Sequence, residues 1–330
     1  MNVPVLVIAF NRRSTLQVLL DRLLSVGAFD VYFAIDGPRP GRLDDIEKVD
    51  AVKCAIREAF NPDDTHLLIQ SENLGIRKGP PAAISWFFSL VESGIILEDD
   101  CIPGDDFFPF SQWALERYKS DDRVKMIAGF NRFGRIPSSR SFRFIKSAMI
   151  WGWATWRRAW SDYDADFIRW RTTEDRRSLD LWLGPFPVRD FWREAVDMVS
   201  RGQLVTWDVA WCWTIFNLRG LVIMPAVSLI QNIGFGADAT NTSSGGIVDE
   251  RSFIRPGSLP SPYREPRSTK PDTYLQRRID RKEFWRSDDL LVTYFKRRFR
   301  SFLISFKLGG FLLRFHNIVR RIRNNPNAKV

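Results

Sequence analysis

Four short apolar runs, at residues 3–10, 31–35, 65–70 and 94–100, alternate with segments whose apolar residues recur at helical spacing. This alternation constrains the fold more than any other feature of the chain. After the first run, Leu16, Leu19, Leu20, Leu23 and Leu24 follow the 3.6-residue period, with Ser14 placed to cap a helix and Gly27 to end it. Residues 44–60 form a second amphipathic segment, and residues 79–91 a third that opens on Pro80 and Pro81, which a first turn tolerates. Repeats of this kind build βαβ units and hence an α/β protein with a mostly parallel, Rossmann-like central sheet flanked by helices. In such a sheet the strand C-termini share one rim, and ligands bind there.

Polar residues gather at those endings. Asn11 and Arg12 follow the first strand, Asp36 ends the second in an Asp36-Gly37-Pro38 turn, and Asn73 and Arg77 follow the third. The fourth runs through Ile95-Ile96-Leu97, which reads as buried on both faces, and stops at Glu98-Asp99-Asp100. Carboxylates beside a buried strand cost free energy unless a cation or a hydrogen-bond donor meets them. Because side chains alternate along a strand, Glu98 and Asp100 fall on one side and Asp99 on the other. One acid can then hold a divalent ion and its neighbour a ribose hydroxyl, while arginines meet phosphate. The rim suits a nucleotide-sugar diphosphate with Mg²⁺ or Mn²⁺.

Beyond residue 100 the alternation loosens. Helices are expected over 105–120, 174–183, 189–201 and 207–218, strands over 123–128, 142–146, 221–224 and 227–232, and a long loop over 235–266. Trp153, Trp156 and Trp160 fall at helical spacing, which implies a packed aromatic helix face; Trp151 and Trp153 are also candidates for a platform on which a sugar stacks. Asp208 opens one of the expected helices, where it can complement the helix dipole or act as a base.

Other chemistries lack their residues. Gly75 to Gly79 has neither the spacing nor the Lys-Ser/Thr ending of a phosphate loop. Asp162, Asp164 and Asp166 mimic a calcium loop, but Phe167 stands where its turn needs glycine. Having only two histidines disfavours a Ser-His-Asp mechanism and a histidine zinc centre, and three cysteines without CxxC spacing argue against a disulfide framework and a thiolate zinc site and imply a reducing compartment. The N-terminal run lacks a basic n-region, so it reads as a strand rather than a secretory signal, and no stretch is long enough to span a bilayer.

Residues 281–330 carry 13 Lys and Arg against three acids, a surplus that equals the net charge of +10 for the whole chain. The body is therefore neutral, which argues against nucleic acid as a partner. In the tail, basic residues interleave with Phe295, Phe299, Phe302, Phe306 and Phe311, a pattern suited to an amphipathic helix on an anionic membrane surface.

With these motifs in place, the chain resembles the GT-A glycosyltransferases, in particular the bacterial family 2-like proteins labelled hemolytic-protein-like, and is similar to the N-acetylglucosaminyltransferase I family. The resemblance rests on Val5-Leu6-Val7-Ile8-Ala9-Phe10-Asn11-Arg12, Ala34-Ile35-Asp36-Gly37, Ile96-Leu97-Glu98-Asp99-Asp100, Asp106-Phe107-Phe108, Trp151-Gly152-Trp153, Trp207-Asp208 and Asn232-Ile233-Gly234-Phe235-Gly236, in that order. It implies a catalytic domain over residues 1–245 (a nucleotide-sugar-binding half to 130, an acceptor half from 131), a loop and linker over 246–285, and the basic tail over 286–330. By resemblance, Asp100 binds the metal, Asp99 the donor ribose, Asp36 the uracil edge, and Arg12 and Arg77 the nucleotide or its diphosphate. The same resemblance implies that Asp208 is the catalytic base.

The sequence departs from the family where Val209 replaces a second acid and where Asn241 replaces an expected histidine, leaving Thr240 or Asn241 to bond a phosphate. The implied activity is an inverting, metal-dependent transfer from a UDP-linked sugar, UDP-GlcNAc among the candidates, to a hydroxyl of a glycan or lipid-linked glycan. The implied location is cytoplasmic, on the inner face of the plasma membrane. The alternatives are a catalytically silent carbohydrate-binding or membrane-associated protein and a sugar-phosphate nucleotidyltransferase, which would carry a glycine-rich loop after the first strand.

Overall fold

The computed structural model describes residues 3–27, 30–61, 65–168, 176–235 and 249–284. The expected tail over 286–330, Thr240 and Asn241 lie outside these residues. Strands β1 (Val5–Ala9), β2 (Val31–Ile35), β3 (His66–Ile69), β4 (Ser93–Glu98), β6 (Val124–Ala128), β7 (Phe142–Ile145), β8 (Trp153–Trp156) and β9 (Leu221–Pro225) form one sheet in the order β3-β2-β1-β4-β8-β6-β9-β7. Its first three ladders and β6·β9 are parallel, whereas β8 runs antiparallel to both its neighbours and β7 antiparallel to β9. The sheet is thus mostly parallel, as the alternation implies. A separate antiparallel pair joins β5 (Cys101–Pro103) to β10 (Ile230–Asn232).

Helices cover both faces. Val5, Val7 and Ala9 pack with α1 (Arg13–Ser25), α2 (Leu43–Ala59) and α4 (Phe107–Arg117). Leu6 faces the other way, among residues of α3 (Gly75–Leu90), α8 (Asp208–Asn217) and α9 (Thr273–Phe284). That two-sided cover explains why β1 reads as a nearly continuous apolar run. The single turn α5 (Arg157–Trp160) follows β8, and α6 (Arg176–Leu183) and α7 (Phe186–Ser200) enclose a third apolar cluster with the outer side of α8.

Four local expectations are corrected. Ser14 does not cap α1, whose N-cap is Arg12 without a side-chain cap. The third helix starts at Gly75, four residues before the prolines suggest, because Asp36 accepts the N–H groups of Leu74 (2.8 Å) and Gly75 (3.1 Å) and fixes a new beginning. Trp153 and Trp156 belong to a strand, not a helix. They lie on opposite faces of the sheet, each in a different core cluster. Finally, the stretch assigned to loop and linker contains a 3₁₀ turn, Glu250–Phe253, and α9, which seats Leu275 and Ile279 on the sheet.

β1 pairs with β2 on one side and β4 on the other, so the crevice beyond the C-terminal ends of β1 and β4 is a topological switch point.

Candidate functional site

Register brings three strand ends together at this crevice. Ala9 pairs with Ile35 and Ile8 with Glu98; Asp36 N–H donates to the Ala9 carbonyl (3.0 Å) and Asp99 N–H to that of Ile8 (3.1 Å). The crevice opens into a cavity of about 450 Å³ lined by Asn11, Arg12, Asp36, Glu98, Asp99, Asp100, Trp151 and Asp208. Asp208 arrives from the first residue of α8, more than a hundred residues downstream. Arg77 is not among the lining residues and pairs at 3.8 Å with Asp166. Trp153 is also absent from the wall: it is 1% exposed in the core, against Trp160, Trp207 and Trp211, and cannot serve as a sugar platform.

The acids are held in different ways. Arg12 Nε donates to Asp99 Oδ2 (3.2 Å), while Nη2 donates to Asp99 Oδ1 and to Asp100 Oδ2 (2.9 Å). The other Asp100 oxygen accepts Asn232 Nδ2 at 3.1 Å. Asn232 is placed by its pairing with Cys101, so the small β5–β10 sheet sets the Asp100 rotamer. Two residues on, Gly234 lies so near that a Cβ there would collide with the Asp100 carboxylate and displace it. Burial, reinforced by the Asp100 and Asp99 charges, pushes the Glu98 carboxyl up to about 8. Burial also raises Asp99, to about 6, against the opposing pull of Arg12.

Asp36 is committed to the fold. Oδ1 accepts from Gly37 N (3.0 Å) and Leu74 N, and Oδ2 from Asn73 Nδ2 (3.0 Å) and Gly75 N. Four donors fill the roughly four acceptor sites a carboxylate offers. A base N–H would need a fifth, so the structure gives Asp36 the role of a cap at the cavity wall instead of a free reader of the base edge.

Asp208 Oδ1 accepts the Thr206 hydroxyl and Val209 N–H (2.9 Å), whereas Oδ2 has no hydrogen bond among the described residues. One oxygen is therefore anchored and the other is left open among the described residues.

Two residues that the sequence reading passes over matter here. Asp45, fully buried at the start of α2, accepts Asn11 Nδ2 (2.9 Å) and both Nε (2.5 Å) and Nη2 (2.8 Å) of Arg39, a further lining residue. The hydrogen bond from Arg39 is the main reason its carboxyl titrates well below the usual range. Arg251 enters the wall from the 3₁₀ turn Glu250–Phe253. Neither had a local signal beyond its charge.

No group of three or more His, Cys, Asp or Glu side chains converges to hold a metal among the described residues. An ion such as Mg²⁺ or Mn²⁺ needs only one or two carboxylates when substrate phosphates supply further ligands. Asp100, a cavity carboxylate with fixed orientation, fits that limited part.

No protein-family model and no curated protein matches the sequence. Among solved structures, HddC from Yersinia pseudotuberculosis is similar at 12% identity, with a TM-score of 0.31 over 49% of this chain and 80% of its own. The 4-diphosphocytidyl-2C-methyl-D-erythritol synthase from Anaerococcus prevotii aligns at 11% identity and TM-score 0.30 over 52% of this chain and 83% of its own. A mannose-1-phosphate geranyltransferase from Thermus thermophilus aligns at 12% identity and TM-score 0.36 over 68% and 74%. Likenesses this distant assign no activity, which leaves function to be argued from the site.

Proposed function

We propose that the chain is an inverting glycosyltransferase of the GT-A type, moving a sugar from a UDP-linked donor to a hydroxyl of a glycan or lipid-linked glycan. The observation that carries this reading is the arrival of Asp208 in the same cavity as Asn11, Arg12, Asp99 and Asp100. A donor site at a sheet switch point needs a base from elsewhere in the chain, and α8 delivers one.

Asp208 Oδ2 takes the proton from the acceptor hydroxyl as that oxygen attacks the anomeric carbon. The bond from that carbon to the diphosphate oxygen breaks on the opposite side, inverting configuration and releasing UDP. Thr206 and the Val209 N–H hold Asp208 so that its remaining oxygen faces this task. Asp99 holds the ribose and is itself held by Arg12. A divalent ion on Asp100 would supply Lewis-acid neutralisation of the leaving diphosphate. The ten surplus charges in residues 281–330 support peripheral attachment to the inner face of the plasma membrane. Among the described residues no helix is long and apolar enough to cross a membrane.

The test is a screen of UDP-, GDP- and dTDP-sugars with Mn²⁺, beside a nucleoside triphosphate plus sugar phosphate, scored for nucleoside diphosphate or pyrophosphate release. Release of UDP from a UDP-sugar that is lost in Asp208→Asn and Asp100→Ala is expected. Equal turnover in wild type and both variants would remove the mechanism, and pyrophosphate release would replace it with nucleotidyl transfer.

A further inference from the structure

Among the described residues, three cations line the cavity: Arg12, Arg39 and Arg251. Arg12 is spread across Asp99 and Asp100, and Arg39 is locked on buried Asp45 at the α2 side. Arg251 enters the wall from the 3₁₀ turn Glu250–Phe253. Its 3₁₀ turn packs on β10, the strand whose Asn232 amide holds Asp100.

The turn is built to present this side chain. Asp249 caps it by accepting Arg251 N–H (2.9 Å), and the same carboxylate accepts Nε at 2.9 and 2.8 Å as well as Nη2. The guanidinium lies 4.6 Å from the ring centroid of Trp151. Trp151 is braced edge-on by Phe130 (4.6 Å) and Phe235 (5.6 Å). Held by a carboxylate and an aromatic face, the guanidinium keeps Nη1 without a hydrogen-bond acceptor among the described residues. One face of Trp151 is thereby covered by the guanidinium.

We propose that Arg251 binds the diphosphate of the donor and that Trp151 is a positioning residue for Arg251. This rests on the nucleotide-sugar reading above. A guanidinium matches phosphate oxygens in shape and charge, and the aromatic face fixes its plane without using its N–H groups. The Arg251 turn packs on the strand whose Asn232 amide holds Asp100, so a diphosphate bound by Arg251 would also be within the compass of the Asp100 corner.

Uridine and UDP differ only in the diphosphate, and calorimetric titration of both with Mn²⁺ present separates the contributions. Arg251→Ala should weaken UDP by about 10- to 100-fold, the usual worth of a charged hydrogen bond, and leave uridine unchanged. Trp151→Leu should show the same selective loss, and Trp151→Phe, which keeps a ring under the guanidinium, should restore most of it. Arg251→Ala binding UDP as tightly as wild type overturns the assignment and leaves the nucleotide reading standing. So does a loss confined to transfer onto a lipid diphosphate acceptor. Equal losses for uridine and UDP in Trp151→Leu overturn the positioning role. A wild-type protein that binds none of UDP, GDP and dTDP overturns both the assignment and the reading beneath it.

Discussion

Asp36 follows β2, lines the cavity and receives four hydrogen bonds, two of them from the Leu74 and Gly75 N–H groups where α3 begins. Truncation to alanine would orphan those donors, so Asp36→Ala should lower stability by about 2 kcal/mol in urea unfolding. Unchanged stability with lost uridine binding would return the residue to base recognition. Asp280 on α9 behaves in the opposite sense. Burial raises its carboxyl to about 6, against the Gln276 hydrogen bond and the Lys146 charge. The native state therefore binds the proton more tightly, and stability falls as pH rises from about 4 through 6. Asp280→Asn keeps an oxygen for Gln276 and should gain up to about 3 kcal/mol at pH 7 but little at pH 4. Parallel pH slopes in denaturant unfolding of wild type and variant would refute this. At this scale the sequence exposes Asp99 and Asp100 because a buried strand cannot end in carboxylates without consequence. It conceals Asp45 and Arg251, whose roles exist only through partners brought up by the fold.

Elements with a single period are legible, and β1 to β4 with their helices emerge in the expected order because apolar runs and 3.6-residue stripes differ plainly. The Trp-rich stretch is ambiguous for a physical reason. Residues three apart lie on one face of a helix, but on opposite faces of a strand, and a strand buried on both faces accepts tryptophan at either. β8 is such a strand, wedged antiparallel between β4 and β6, and its Gly152 approach has positive φ (59°) with no room for a Cβ beside Ile230. Because Trp153 is core, Trp153→Ala should cost about 3–5 kcal/mol in denaturant unfolding. A variant that unfolds like wild type but loses sugar binding would favour the platform instead. The opposite error occurs at α9, where charged residues surround Leu275 and Ile279 and hide a two-residue contact stripe in a polar sequence.

On the scale of the whole molecule, α9 carries the packed body beyond residue 245. Motif order places the catalytic domain within residues 1–245, yet Leu275 and Ile279 complete the core on one face of the sheet and Phe284 joins the cluster of Phe191 and Trp192. The Gln276 amide adds polar ties, accepting Lys146 N–H and donating to the Ser147 hydroxyl, both at 2.8 Å. Burying three large apolar side chains contributes about 6 kcal/mol, a large share of the roughly 5–15 kcal/mol that holds a domain together. A chain ending at 245 should therefore be insoluble or melt far below the full-length protein, because the sheet face under α9 would be open to water. A chain ending at 284 should keep its melting temperature and its UDP affinity. Thermal melts of the two truncations separate the alternatives: a stable, UDP-binding 1–245 protein would make α9 an accessory, whereas loss of folding only on removing α9 makes residues 249–284 part of the catalytic body, with Arg251 carried inside it.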